Sequence, residues 1–112
     1  MDTLLLELKS SKTLEQLKAL ANDLRYYMVC LLAQRELCVC ELETLLELNQ
    51  SKVSYHLGIL KDAGLVCSEQ RGKNSFYRLE RSVLYLLGGN VLLEVLSKSS
   101  DLELTYPRDS IC

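Results

Sequence analysis

The stretch Asn49-Gln50-Ser51-Lys52-Val53-Ser54-Tyr55-His56-Leu57, running on to Ala63-Gly64-Leu65-Val66, decides how this chain folds. Asn49-Gln50-Ser51 interrupts one apolar period and supplies a helix cap; Val53, Leu57 and Leu60 then share a buried stripe over about 51–63. Gly64 is placed to close that helix. Just upstream, a shorter helix at about 39–46 presents Leu42, Leu45 and Leu46. Downstream, 65–70 and 75–79 are strand-like runs around Arg71-Gly72-Lys73-Asn74, a hairpin whose tip carries two cations and a turn glycine. A short helix, a tight turn, a second helix with polar outer residues and a basic-tipped hairpin make a winged helix-turn-helix.

Outward from this motif the pattern stays helical. Leu4, Leu5 and Leu8, then Leu14, Leu17, Leu20 and Leu24, recur at three- and four-residue steps. Asn22 or Asp23 can cap a helix to about Gln34, with Leu24, Tyr27, Met28, Leu31 and Leu32 inward, and Ser82 a last helix to about Lys98. The expectation is a mainly α fold with a small β-hairpin, one DNA-binding and dimerisation domain over 1–98 and a tail over 99–112.

The 112 residues suit one domain. A net charge of −2 argues against non-specific coating of nucleic acid, but it hides a gradient. Residues 51–78 carry five basic against two acidic side chains, while both flanks are acidic. No apolar run approaches the roughly 20 residues that span a bilayer, and the start lacks the basic end of a signal peptide. These features point to a soluble cytoplasmic protein without a membrane partner, whose five cysteines are reduced thiols. A single histidine, with no phosphate loop, carboxylate pair or nucleophile–base arrangement, argues against an enzyme.

The second helix of such a motif enters the major groove with its N-terminal residues nearest the bases. Here those are Gln50, Ser51, Lys52, Ser54, Tyr55 and His56. Gln can pair with adenine, Ser can serve base or phosphate, and Lys52 and Lys61 can neutralise phosphates. Arg71, Lys73 and Asn74 at the hairpin tip can reach the flanking backbone or minor groove. The last helix is apolar all round, through Val83, Leu84, Leu86, Leu87, Val91, Leu92, Leu93, Val95 and Leu96. Such a helix must be covered on every side, which suits an α-rich homodimer. Two-fold pairing then asks for double-stranded operator DNA with an inverted repeat.

Together with Glu36-Leu37-Cys38-Val39-Cys40-Glu41-Leu42, Ala63-Gly64-Leu65-Val66, the wing Arg71-Gly72-Lys73 and the returning Tyr77-Arg78-Leu79, the reading helix resembles the ArsR-type (arsenical-resistance) family of metal-responsive repressors over about 14–97. The resemblance implies a homodimer, paired through its first and last helices, that binds an operator and releases it when an inducer arrives. No resident cofactor is required.

Cys38 and Cys40 stand where the first helix of the motif begins, and a helix N-terminus favours the reactive thiolate. Thiolates select soft ions. Within the resemblance the two cysteines sense trivalent arsenic or antimony, which wants three thiolates, or cadmium, lead or zinc, which commonly want four ligands. The third cysteine of the arsenic-responsive branch is replaced by Glu43, the arm cysteines of the cadmium/lead branch are absent, and the last helix offers only Glu94 to the family's other metal site. Cys112 is the best third ligand. Cys30 reads as a small buried hydrophobe and Cys67 as structural. Two alternatives remain. One is a thiol redox regulator on the same scaffold, which would use Cys112 or the partner chain because a Cys38–Cys40 bridge is strained. The other is a winged-helix protein-interaction module.

Overall fold

Side-chain caps fix where the helices begin. The computed structural model describes residues 11–99. In chain order these form α1 (Lys12–Leu20), α2 (Asp23–Gln34), β1 (Leu37–Cys38), α3 (Val39–Leu46), α4 (Gln50–Asp62), β2 (Val66–Arg71), β3 (Asn74–Leu79) and α5 (Arg81–Ser99). Ser11 Oγ accepts from the Leu14 N–H, Asn22 Oδ1 from the Arg25 N–H and Asn49 Oδ1 from the Lys52 N–H, at 3.0, 3.1 and 2.9 Å. A cap of this kind is worth about 1 kcal/mol. The early leucines Leu4, Leu5 and Leu8 and the tail residues beyond Ser99 lie outside the described residues.

The core forms where α2, α3 and α4 meet the sheet. Met28, Leu32, Leu37, Leu42, Val53, Leu57, Leu60 and Leu65 are its largest enclosed side chains. Each buried leucine contributes roughly 1.5–3 kcal/mol over leaving it in water. Met28, Val29 and Leu32 form the buried side of α2, so Tyr27, expected inward, instead stands exposed with Tyr26. Cys30 is likewise exposed rather than buried, since it lies on the opposite side of the helix from Met28 and Leu32. Leu17 and Leu45 are also exposed. A polar side chain takes an inward place in α1: buried Gln16 donates from Nε2 to the Ala63 carbonyl at 3.0 Å.

The sheet has the order β1-β3-β2, all antiparallel. Arg71 pairs with Asn74, which leaves Gly72-Lys73 as a two-residue turn with Gly72 at φ 62°. Gly64 stands at φ 81°, as its place after α4 requires. β1 was not expected; its Leu37 and Cys38 lie opposite Tyr77 and Phe76. α5 packs Val83, Leu84 and Leu87 inward and is tied to the start of α1, where Ser11 Oγ donates to Glu94 at 2.7 Å. Tyr85, Leu86, Leu92, Leu93 and Leu96 of the same helix are exposed. Among the described residues, no helix is long and apolar enough to cross a membrane.

Candidate nucleic-acid interface

α4 carries its apolar residues Val53, Leu57 and Leu60 toward the core, and this turns Gln50, Ser51, Ser54 and Tyr55 to the opposite side. All four are exposed, as is Lys52. The first turn of α4 holds no acidic residue, so its N–H groups and dipole meet an approaching phosphate unopposed. Lys61 is exposed at the other end, its Nζ donating to Ser68 Oγ of β2 at 2.8 Å.

His56 departs from the expected surface. It is only 7% exposed and completes the buried stripe with Val53, Leu57 and Leu60. Its Nδ1 lies 3.0 Å from Arg25 Nη1. A guanidinium has only donors, so Nδ1 accepts and the neutral ring carries its proton on Nε2. Burial, reinforced by the positive charges of Arg25 and Lys52, holds the imidazole below the usual histidine range. Arg25 also donates from Nε to the Ala19 carbonyl at 2.6 Å, so one side chain of α2 fixes α1 and the inner face of α4 together. His56 is therefore held on the inner side of α4, away from the outer surface that Gln50, Ser51, Ser54 and Tyr55 present.

The wing holds a second departure. Lys73 and Asn74 are exposed at the tip, but Arg71 is turned back. Its guanidinium makes a two-bond fork with Glu36, one arm at 2.9 Å, and a further bond to Glu69 at 2.8 Å. The same group lies 4.9 Å from the centre of the Phe76 ring. Glu69, and Glu36 with it, hold the guanidinium more firmly protonated. Sequence spacing gave no sign of the link, because Glu36 is 35 residues away.

The cysteines divide by position. Cys38 ends β1 and caps α3: its Sγ accepts from the Glu41 N–H at 3.3 Å, while Glu41 Oε1 accepts from the Cys38 N–H at 3.0 Å. That backbone N–H, with Arg35 at 2.9 Å, holds the Glu41 carboxyl below the usual carboxylate range. Cys40 lies one helical residue inside α3 and is exposed. The two sulfurs are joined in a disulfide with Cα atoms 5.3 Å apart. The extended backbone at Cys38 turns directly into the helix and sets the two Cα atoms within the range that disulfides span.

A three-thiolate centre is not assembled within 11–99. Among the described residues, no group of three or more His, Cys, Asp or Glu side chains converges to hold a metal ion. Cys30 lies on the outer side of α2. Cys67 is half-buried, and Glu80 together with burial pushes its thiol up, away from the thiolate a soft ion needs. Cys112 lies outside the described residues.

Residues 22–68 match the sequence profile described as bacterial regulatory protein, arsR family. The arsenical resistance operon repressor of Bacillus subtilis is 46% identical over 66 residues, which cover 58% of this chain and 63% of that protein. The transcriptional activator HlyU of Vibrio cholerae is 42% identical over 74 residues, 66% of this chain and 68% of that protein. Its solved structure superposes with a TM-score of 0.63, covering 80% of this chain and 96% of that one at 38% identity. The homodimeric winged helix-turn-helix DNA-binding domain from Mycobacterium bovis superposes with a TM-score of 0.63 at 28% identity, covering 87% and 88%. The chain spans about half to two thirds of the length of the curated relatives it matches. Fold and relatives alike are those of transcriptional regulators rather than enzymes.

Proposed function

We propose that this chain, which belongs to the ArsR family of bacterial regulatory proteins, is a sequence-specific DNA-binding transcriptional repressor acting as a homodimer on an inverted-repeat operator. The observation that carries this reading is the outer side of α4, where Gln50, Ser51, Lys52, Ser54 and Tyr55 stand exposed at a capped helix start whose first turn holds no acidic residue. Lys73 and Asn74 extend the same surface to the wing, for phosphate or minor-groove contact. The exposed leucines of α5 supply an apolar face for a second copy, and a homodimeric neighbour of the same fold supports that pairing. Two copies about one DNA turn apart read two half-sites.

Operator release is assigned to Cys38 and Cys40, because α3 begins between them and packs on α4. A change there regulates only if it shifts the balance between forms that differ in DNA affinity. Arsenite or antimonite needs a third thiolate, so induction by a metalloid depends on Cys112 or a second copy; a soft divalent metal needs more still. A second reading, thiol–disulfide switching, needs only the pair, and the bond joining the two sulfurs favours it.

The test is fluorescence anisotropy with a randomised and then an enriched duplex, followed by titration with arsenite and with diamide. Selective, salt-sensitive binding by a dimer is expected, and a monomer indifferent to duplex DNA at low salt refutes the repressor reading. Release by arsenite that Cys112→Ser abolishes supports the metalloid as inducer. Release by diamide alone supports the disulfide.

A further inference from the structure

We propose that Cys40 is the sulfur through which the pair exchanges electrons with small thiols and their disulfides, and that Cys38 is the sheltered sulfur that leaves and returns. The proposal rests on the thiol–disulfide reading given above.

The two bonded sulfurs sit in unlike surroundings. Cys38 is 4% exposed, lies opposite Phe76 in the sheet, and accepts a hydrogen bond from the Glu41 N–H. Cys40 is exposed and lines an open cleft of about 370 Å³ with Arg35, Glu41, Thr44 and Leu45. An attacking thiolate needs access to the sulfur it strikes, and a good leaving sulfur is one whose thiolate is stabilised. Access favours attack on Cys40. The Glu41 N–H and the first turn of α3 stabilise negative charge on Cys38. Both effects point in the same direction.

In reduction, a thiolate RS⁻ attacks Cys40 Sγ and forms a new S–S bond. The Cys38–Cys40 bond breaks, and its electron pair stays on Cys38. A second RS⁻ attacks the R sulfur of the mixed disulfide, giving RSSR and the Cys40 thiolate, so two electrons have entered the protein. Oxidation runs in reverse. Cys40 thiolate attacks RSSR and expels RS⁻, then Cys38 thiolate attacks Cys40 Sγ and expels the second RS⁻. Cys38 Sγ can keep the Glu41 N–H in both states, so α3 retains its cap through the cycle. Arg35 and Glu41, paired at 2.9 Å, give the cleft one charge of each sign, which complements thiols carrying both ammonium and carboxylate groups.

Reduced Cys38→Ser and Cys40→Ser proteins are treated with oxidised glutathione, and the tryptic peptide spanning positions 38 and 40 is followed by mass spectrometry. Serine preserves the cap at position 38, and circular dichroism checks that both variants are folded. The mixed disulfide is expected to form on Cys40 about tenfold or more faster than on Cys38. Equal rates, or a faster Cys38, overturn the proposal by showing that activation at the helix terminus outweighs access. In the parent protein the peptide spanning positions 38 and 40 is expected to lose both thiols and keep no glutathione. A stable mixed disulfide on that peptide equally overturns the proposal, since Cys38 then does not resolve the intermediate. Neither readout uses DNA, so failure here leaves the repressor reading standing, whereas failure to bind duplex leaves the exchange chemistry standing.

Discussion

Arg71 is a wing cation that the protein spends on its own carboxylates, and releasing it changes DNA binding in a calculable way. Glu36 and Glu69 together take three hydrogen bonds from its guanidinium. Replacing both glutamates by alanine removes these acceptors and frees that group for a phosphate. One additional phosphate contact steepens the dependence of log K on log salt by about 0.9. Between about 200 and about 50 mM salt, that slope alone tightens the variant about 3.5-fold more than the parent. Removing two carboxylates also weakens general repulsion, so the same pair of changes is made in an Arg71→Gln protein. The difference between the two slope changes isolates Arg71. Exposed ion pairs contribute little to stability, so all four proteins remain folded. Anisotropy titrations at four salt concentrations provide the slopes. An equal slope change with and without Arg71 refutes the reasoning, because the glutamates then act as bulk charge.

Three further outcomes are expected. The unfolded chain protonates His56 near pH 6.5, whereas the buried ring resists; its share of stability is therefore complete above that pH and is lost as pH falls through the lower folded value. Urea midpoints measured from pH 7.5 downward show this loss, and His56→Gln shows a shallower decline. Gly64→Ala destabilises by about 1–2 kcal/mol, read as a lower urea midpoint, through strain at φ 81°; the added Cβ meets only Lys12 and Gln16 side-chain atoms at ordinary contact distance. Leu93→Glu, on the exposed side of α5, converts the proposed dimer to monomer in sedimentation and weakens operator binding while leaving the helical circular dichroism signal intact.

The reading motif and wing were legible because their signals are local. Asn49 caps, Gly64 closes, and a tight turn at Gly72-Lys73 joins two alternating strands, each feature within a few residues of its effect. What escaped depended on tertiary placement. His56 occupies the buried series with Val53, Leu57 and Leu60, a three- and four-residue spacing present in the sequence but masked by the polarity of its ring. Cys30 was judged by residue type, although Met28, Val29 and Leu32 had already taken the inner side of α2. β1 is two residues long, too short to show a period, and exists because Leu37 and Cys38 find Tyr77 and Phe76 across the sheet. Glu36 and Arg25 meet Arg71 and His56 only in the folded chain.

The place of β3 between two neighbours limits how this scaffold can vary. Phe76 and Tyr77 are bonded across to β1 on one edge and to β2 on the other, so an inserted or deleted residue there shifts two registers and flips side chains between faces. The turn beyond Arg71 and Asn74 has no such double constraint. A lineage exploring longer or shorter reach along the duplex is therefore free to change length at Gly72-Lys73, while the base of the hairpin, anchored beside the start of α3, keeps its dimensions.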